Sequence, residues 1–280
     1  MNYVLNAAES YAPKKPAKDE QILISAGSSG GGGRSMYGHG FGMLFLAQCY
    51  GVEGDKTTGR GKRIKRILDG AVRLTAAAQS DVGAAAKHAG GWTYTPTARS
   101  DEGSVTVTQL QALRACRNVG IKVPKQTIDR TVLYLKACQQ QDGGIAYRYS
   151  SRSRGGSSLP AISAAAIACF YSAGIYDRRT GGAGAEAKMV ERLVDYCKST
   201  ISVDQHRGHF FYTHFYMAQG MYQRGGKDWK DYYPQIRDRL LDMQSPDGSW
   251  SGDSIGPVYG TAIATLILQL PYGYLPIMQR

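Results

Sequence analysis

One stretch of this 280-residue chain is written twice. Residues 134–145, Tyr-Leu-Lys-Ala-Cys-Gln-Gln-Gln-Asp-Gly-Gly-Ile, recur as residues 240–250, Leu-Leu-Asp-Met-Gln-Ser-Pro-Asp-Gly-Ser-Trp. In each copy an amphipathic run ends in Gln (Gln139, Gln244), three residues pass, and a Gly precedes a bulky apolar residue (Ile145, Trp250). The Gln side chain can hydrogen-bond the orphan carbonyls of its own helix end or the backbone of a neighbour. The Gly stands where a chain leaving a helix needs a left-handed residue. The apolar residue then returns onto the helix just left. A helix that ends the same way at intervals marks an array of helical hairpins.

Two kinds of helix are expected to alternate. One is amphipathic and charged, at about 1–9, 61–79, 125–140, 186–200 and 231–243. The other is apolar nearly all round, at about 37–50, 105–119, 160–173, 209–223 and 257–270. A helix without a polar face must be enclosed, so the second kind forms an inner ring and the first an outer one. Several inner helices close on a Gly, as at Gly51, Gly120, Gly174 and Gly225. Inner-helix centres recur at roughly 45–65 residues, the period of a two-helix repeat. Strand patterning is nearly absent. The polar stretches 10–36, 80–104 and 148–158 all link an outer to an inner helix and gather at one mouth.

Hydrophobic content of 42% suffices for a core. No apolar run reaches the roughly 18 residues of a membrane helix, and no signal peptide opens the chain, so a cytoplasmic location is expected. Residues 1–9 read as a helix entered partway. Cys49, Cys116, Cys138, Cys169 and Cys197 lie singly within helices and form no CxxC pair, so buried thiols are expected. The net charge of +12 is dispersed. Its densest run, Arg60 to Arg66, opens an amphipathic helix and lacks the aromatic interleaving of a nucleic-acid surface. Nucleic acid is therefore not expected as a partner, whereas a loose peripheral contact with anionic lipid is compatible with the charge.

The Gln-x-x-x-Gly-x-Trp ending, with Val258-Tyr259-Gly260-Thr261 after it, resembles the α/α-toroid superfamily of squalene/hopene cyclases and protein prenyltransferase β-subunits. Residues 240–268 are most similar to the C-terminal region of the cyclases. More narrowly, Tyr37-Gly-His-Gly-Phe41, Gly90-Gly-Trp-Thr-Tyr94 and the ending Tyr274 to Arg280 resemble bacterial prenyltransferase/squalene-oxidase-repeat proteins. The resemblance implies an all-α fold, a single (α/α) toroid over 1–280. It would comprise about five outer–inner hairpins, with room for a missing first inner helix.

The resemblance does not carry the family's chemistry with it. The cyclases protonate an alkene from an Asp-x-Asp-Asp motif, and Glu102-Gly103-Ser104-Val105 stands under it, with one acid remaining. Asp101 or Glu102 could serve as an acid, or simply cap a helix. The prenyltransferases bind zinc through an Asp, a Cys and a His, and Tyr212, His214 and Gly260 occupy those places. No metal and no cofactor is therefore expected.

Four histidines, His39, His206, His209 and His214, lie near inner-helix starts, where an acid such as Asp101, Glu102, Asp204 or Asp253 could partner them. His209 and His214 are about 140° apart on a helix, so the spacing does not put them on one face. The candidate acid–base residues are Asp101, Glu102 and His214. The candidate ligand-binding residues are His39, Phe41, Phe211, Tyr212, Phe215 and Tyr259. Nineteen Tyr against six Phe point to a lined, partly wet cavity, because buried hydroxyls need partners. The leading expectation is an apolar, isoprenoid-like lipid bound in the cavity. An enzyme with a non-standard acid–base site and a protein-interaction scaffold are the alternatives.

Overall fold

The computed structural model describes residues 1–10, 18–25, 34–53, 57, 59–80, 90–97, 100–149, 156–178, 181–205 and 208–274. Among these, the chain is all-helical, with isolated β-bridges and no strand. The helices are α1 (Asn2–Ser10), α2 (Ser35–Val52), α3 (Gly59–Ala78), α4 (Gly103–Asn118) and α5 (Lys125–Cys138). They continue as α6 (Pro160–Ser172), α7 (Gly184–Thr200), α8 (Phe210–Arg224), α9 (Gly226–Asp242) and α10 (Pro257–Leu268). Each expected helix is present. The largest shift is α9, which starts at Gly226 rather than near 231 and carries Pro234 within it. The missing N–H of Pro234 is tolerated inside the helix.

The two helix kinds differ as their compositions require. In α6 every residue from Ile162 to Tyr171 is buried. In α9 only Asp228, Ile236 and Leu240 are. The glycines that end α4 and α6 close the same motif. The Gly120 N–H bonds Arg117 O and the Ile121 N–H bonds Cys116 O; Gly174 and Ile175 do the same to Tyr171 and Phe170. Both glycines are left-handed, at φ 84° and 82°. Cys116, Cys138, Cys169 and Cys197 are buried thiols, and Cys49 is half-buried.

The chain divides into two compact units. The first comprises 1–137 with 148–150; in it α2 packs on α4 and α3, and α1 packs on α3. The second comprises 138–147 with 151–280; there α8 packs between α6 and α10, with α7 against α6 and α9 against α8. A buried ion network ties the second unit at the ends of its helices. Arg224 meets Asp177 at 3.1 Å and Asp228 at 2.6 Å, and Lys198 meets Asp228 at 2.7 Å. The Tyr171 hydroxyl donates to Asp177 at 2.5 Å.

The repeated Gln-to-Gly ending lies against the backbone of a neighbouring charged helix in two of its copies. In the first unit the Gln79 amide donates to Gly90 O and to Thr127 O on α5, both at 2.9 Å. In the second unit Gln139 donates to Gly143 O at 2.9 Å and to Met189 O on α7 at 3.1 Å. The glycines touch the same neighbouring helices one turn further on. A methyl on Gly90 would lie 2.2 Å from Arg130 O, and one on Gly143 would lie 2.6 Å from Arg192 O. An earlier joint moves the glycine across the contact: the Ile22 N–H bonds Gly70 O at 3.1 Å, and it is α3 that supplies the Gly. Gln244 makes the third copy, donating to Gly248 O at 2.9 Å.

The bulky residue after each glycine folds back as expected. Trp92 Nε1 donates to Thr75 O at 2.8 Å, and Trp250 Nε1 donates to Leu240 O at 2.7 Å. Its backbone N–H is caught by a hydroxyl in the first turns of the following apolar helix: Trp92 by Thr106, Ile145 by Ser163 and Trp250 by Thr261.

These joints predict a graded alanine series. Gly90→Ala and Gly143→Ala combine a positive φ with a backbone collision, and each should cost about 3 kcal/mol or more in urea unfolding. Gly248→Ala, at φ 84° with only Gln244 within 4 Å, should cost about 1–2 kcal/mol. Equal losses at the three positions would refute the joint.

Candidate functional site

The beginnings of α2 and α4 bring the acidic candidates together in the first unit. Glu102 is the N-cap of α4, and its carboxylate accepts from the Ser104 and Val105 N–H groups at 3.0 and 2.7 Å. The Ser104 hydroxyl adds a third bond at 2.7 Å, and Tyr37 Oη lies 3.3 Å from Glu102 Oε1. Tyr37 Oη also contacts Ser104 Oγ closely. Asp101, buried beside it, accepts from the Tyr134 hydroxyl at 2.8 Å and the Tyr149 N–H at 2.9 Å. Both acids therefore act as acceptors: Glu102 caps α4, and Asp101 anchors the Tyr134 phenol and the Tyr149 N–H. Burial first, and the charge of Glu102 next, push the Tyr37 phenol up to about 12, so it keeps its proton at neutral pH.

Helix α2 is held on three sides. His39, Met43, Leu46 and Tyr50 form one buried stripe, and the Thr75 contact of His39 directs it to α3. Gly40 admits Thr108 and Gln109 of α4, which would lie 2.8 and 2.7 Å from an added methyl. Gly42 admits Ile24 and Val4. The fourth side carries Tyr37, Phe41, Leu44, Phe45 and Gln48, within about 100° of one another around the helix. On it Phe41 is 41% exposed and Phe45 42%, unusual for large rings on a helix packed on its other sides. The sequence singled out Phe41 on this side and neither Gln48 nor Ser104, because polar residues scattered over helices give no pattern.

The histidines are placed elsewhere. His39 is fully buried; its Nδ1 accepts from the Ile24 N–H at 3.1 Å, and its Nε2 meets Thr75 Oγ1 at 3.0 Å. The Thr75 hydroxyl donates to Ala71 O, so Nε2 carries the proton. Both ring nitrogens thus pin residues 20–25 to α2 and α3, which leaves neither for a ligand. His214 is buried against the α9 side of α8, sharing a 2.8 Å bond with Tyr232 and a 4.4 Å ring contact with Phe210. Asp101 and Glu102 lie in the first unit and His214 in the second. His206 lies outside the described residues, and His209 is exposed. Among the described residues no group of three His, Cys, Asp or Glu is arranged to hold a metal.

In the second unit, Asp253 adopts φ 54°, unusual for a non-glycine, and accepts from the Phe211 N–H at 3.2 Å. Burial first, then Asp253, pushes the nearby Tyr259 phenol upward. Phe211 and Phe215 are buried, while Tyr212 and Tyr259 are half-buried. Tyr216 meets Tyr212 at 4.8 Å and Phe215 at 4.9 Å, edge to face. The α8 face away from His214 is therefore aromatic but covered, unlike that of α2.

The cationic run on α3 is largely paired. Arg60 meets Glu53, Arg63 meets Glu9, Lys65 meets Asp69 and Arg66 meets Glu20, all within 2.7 Å. It presents no bare basic strip. Among the described residues no helix is long and apolar enough to cross a membrane.

Burial holds His39 at about 4, below the 6.5 of a free imidazole, so the folded chain resists protonation that the unfolded chain accepts. Stability should be full above pH 6.5 and fall as pH drops towards 4, by up to about 3 kcal/mol. His39→Gln should lack this slope between pH 6.5 and 4.5 in chemical denaturation. Parallel curves for the two proteins would contradict the assignment.

No protein-family profile and no curated protein matches the sequence.

Proposed function

We propose that the chain is an α/α toroid of terpenoid-cyclase or prenyltransferase type that binds an apolar, isoprenoid-like lipid against its inner helices. It would do so without the alkene-protonating acid motif and without the zinc triad. The observation that carries this reading is the free face of α2, where Phe41 and Phe45 stand exposed while the other three sides of the helix are packed. Exposed aromatic rings in a row on an otherwise buried helix mark a surface that gains by being covered. The alternation of enclosed apolar helices with amphipathic ones, joined at matching Gln-to-Gly endings, supports the toroid.

The acid–base alternative draws no support from Asp101, Glu102 or His214, whose polar atoms hold backbone, phenol and helix partners. Of the ligand-binding candidates, Phe41 has the accessible surface, and His39 belongs to the core.

Delipidated protein incubated with squalene should retain it in native mass spectrometry. The double change Phe41→Ser and Phe45→Ser should weaken retention at least about tenfold, since two rings lose most of their apolar contact. Failure of the wild-type chain to retain any isoprenoid would end the proposal.

A further inference from the structure

We infer that the free face of α2 takes a linear lipid that ends in a hydrogen-bond donor, a long-chain alcohol, with its hydroxyl on Tyr37 Oη and its chain along Phe41 and Phe45. This rests on the reading that α2 lines an apolar site, and it names the ligand's polar end.

The direction of the hydrogen bonds is what selects the donor. The Ser104 hydroxyl has one proton, and Glu102 Oε2 accepts it at 2.7 Å. Ser104 therefore cannot donate to Tyr37. The Tyr37 proton must run the same way, into Ser104 Oγ or into Glu102 Oε1 at 3.3 Å. Two donations in series end on a carboxylate, which makes the Tyr37 oxygen electron-rich. Its own lone pairs meet no donor among the described residues, although the side chain is only half-buried. Tyr37 Oη is thus an acceptor at the end of an apolar strip.

The strip has a second acceptor. Gln48 lies about 16 Å further along the helix axis, at 1.5 Å per residue, and on the same side of α2. Its Oε1 is buried without a hydrogen-bond partner. Between the two lie Phe41, Leu44 and Phe45. Tyr37 Oη thus offers lone pairs and no free proton, whereas the Gln48 amide carries N–H donors beside its oxygen. An isoprenoid diphosphate brings only acceptors and negative charge, and would be set against lone pairs backed by Glu102. A hydrocarbon fills the strip but leaves Tyr37 Oη unmet. A long-chain alcohol fills the strip and donates its one proton to Tyr37 Oη.

The test compares farnesol, farnesyl methyl ether and farnesyl diphosphate on the full chain by isothermal titration calorimetry. Farnesol should bind about fivefold tighter than the ether, the worth of one neutral hydrogen bond, and the diphosphate should bind weakest. Tyr37→Phe should erase the difference between alcohol and ether in a variant that keeps the wild-type circular-dichroism spectrum. If that variant does not fold, the comparison on the wild-type chain still decides. An ether or diphosphate that binds as tightly as the alcohol overturns the inference and leaves the apolar site standing. No binding by any of the three, with no squalene retained, removes both.

Discussion

The side-chain amide of a glutamine just after a charged, amphipathic helix is the contact on which the packing in each unit depends. It satisfies a carbonyl of its own departing turn and a carbonyl of the next charged helix together, as Gln79 does with Gly90 and Thr127. That double use fixes the turn and the neighbour's height in one bond set. The glycine beside it then lets the two backbones meet where a Cβ would collide, as at Gly90 against Arg130 O. The reversal at Ile22 and Gly70 shows that close approach is the requirement, and that either partner can supply the missing side chain.

The apolar helices are packed on the sides that meet these joints, while α2 leaves Phe41 and Phe45 exposed and α10 leaves Val258 exposed. Their hydroxyls are drawn into the joints, with Thr106, Ser163 and Thr261 each catching the backbone that enters the helix. The buried histidine of α2 does the same for Ile24. A catalytic look to the apolar-helix starts, with acids, hydroxyls and imidazoles in a row, thus arises largely from anchoring. The side chains not consumed in this way are few, and on α2 they lie together: two exposed phenyl rings between the Tyr37 and Gln48 acceptors.

How much of this could be read beforehand follows from the range of each interaction. The helices, their two kinds and the Schellman endings at Gly120 and Gly174 are local, and their residues state them. The duplicated Gln-to-Gly run announced a joint, yet its first copy hides in the sequence, because Gly90 stands eleven positions after Gln79 rather than four. The role of Glu102 as a cap was legible as one of two readings, since a helix start invites both. His39 looked like a ligand-binding residue because its position at a helix start is visible, whereas its bonds to Ile24 and Thr75 are not. The network of Asp177, Arg224 and Asp228 joins charges 51 positions apart and leaves no local pattern. Similarly, that Phe41 is exposed while Phe211 and Phe215 are covered depends on neighbours the sequence does not place.

Hydrogen exchange on two glutamine variants tests the joint most directly. Gln79→Met removes the bonds to Thr127 O and Thr131 Oγ1 on α5, whereas Gln244→Met removes only a bond within its own turn. The account predicts faster exchange across Thr127 to Tyr134 in the first variant and a change confined to the 244–250 turn in the second. Unaltered protection of α5 in Gln79→Met would contradict it.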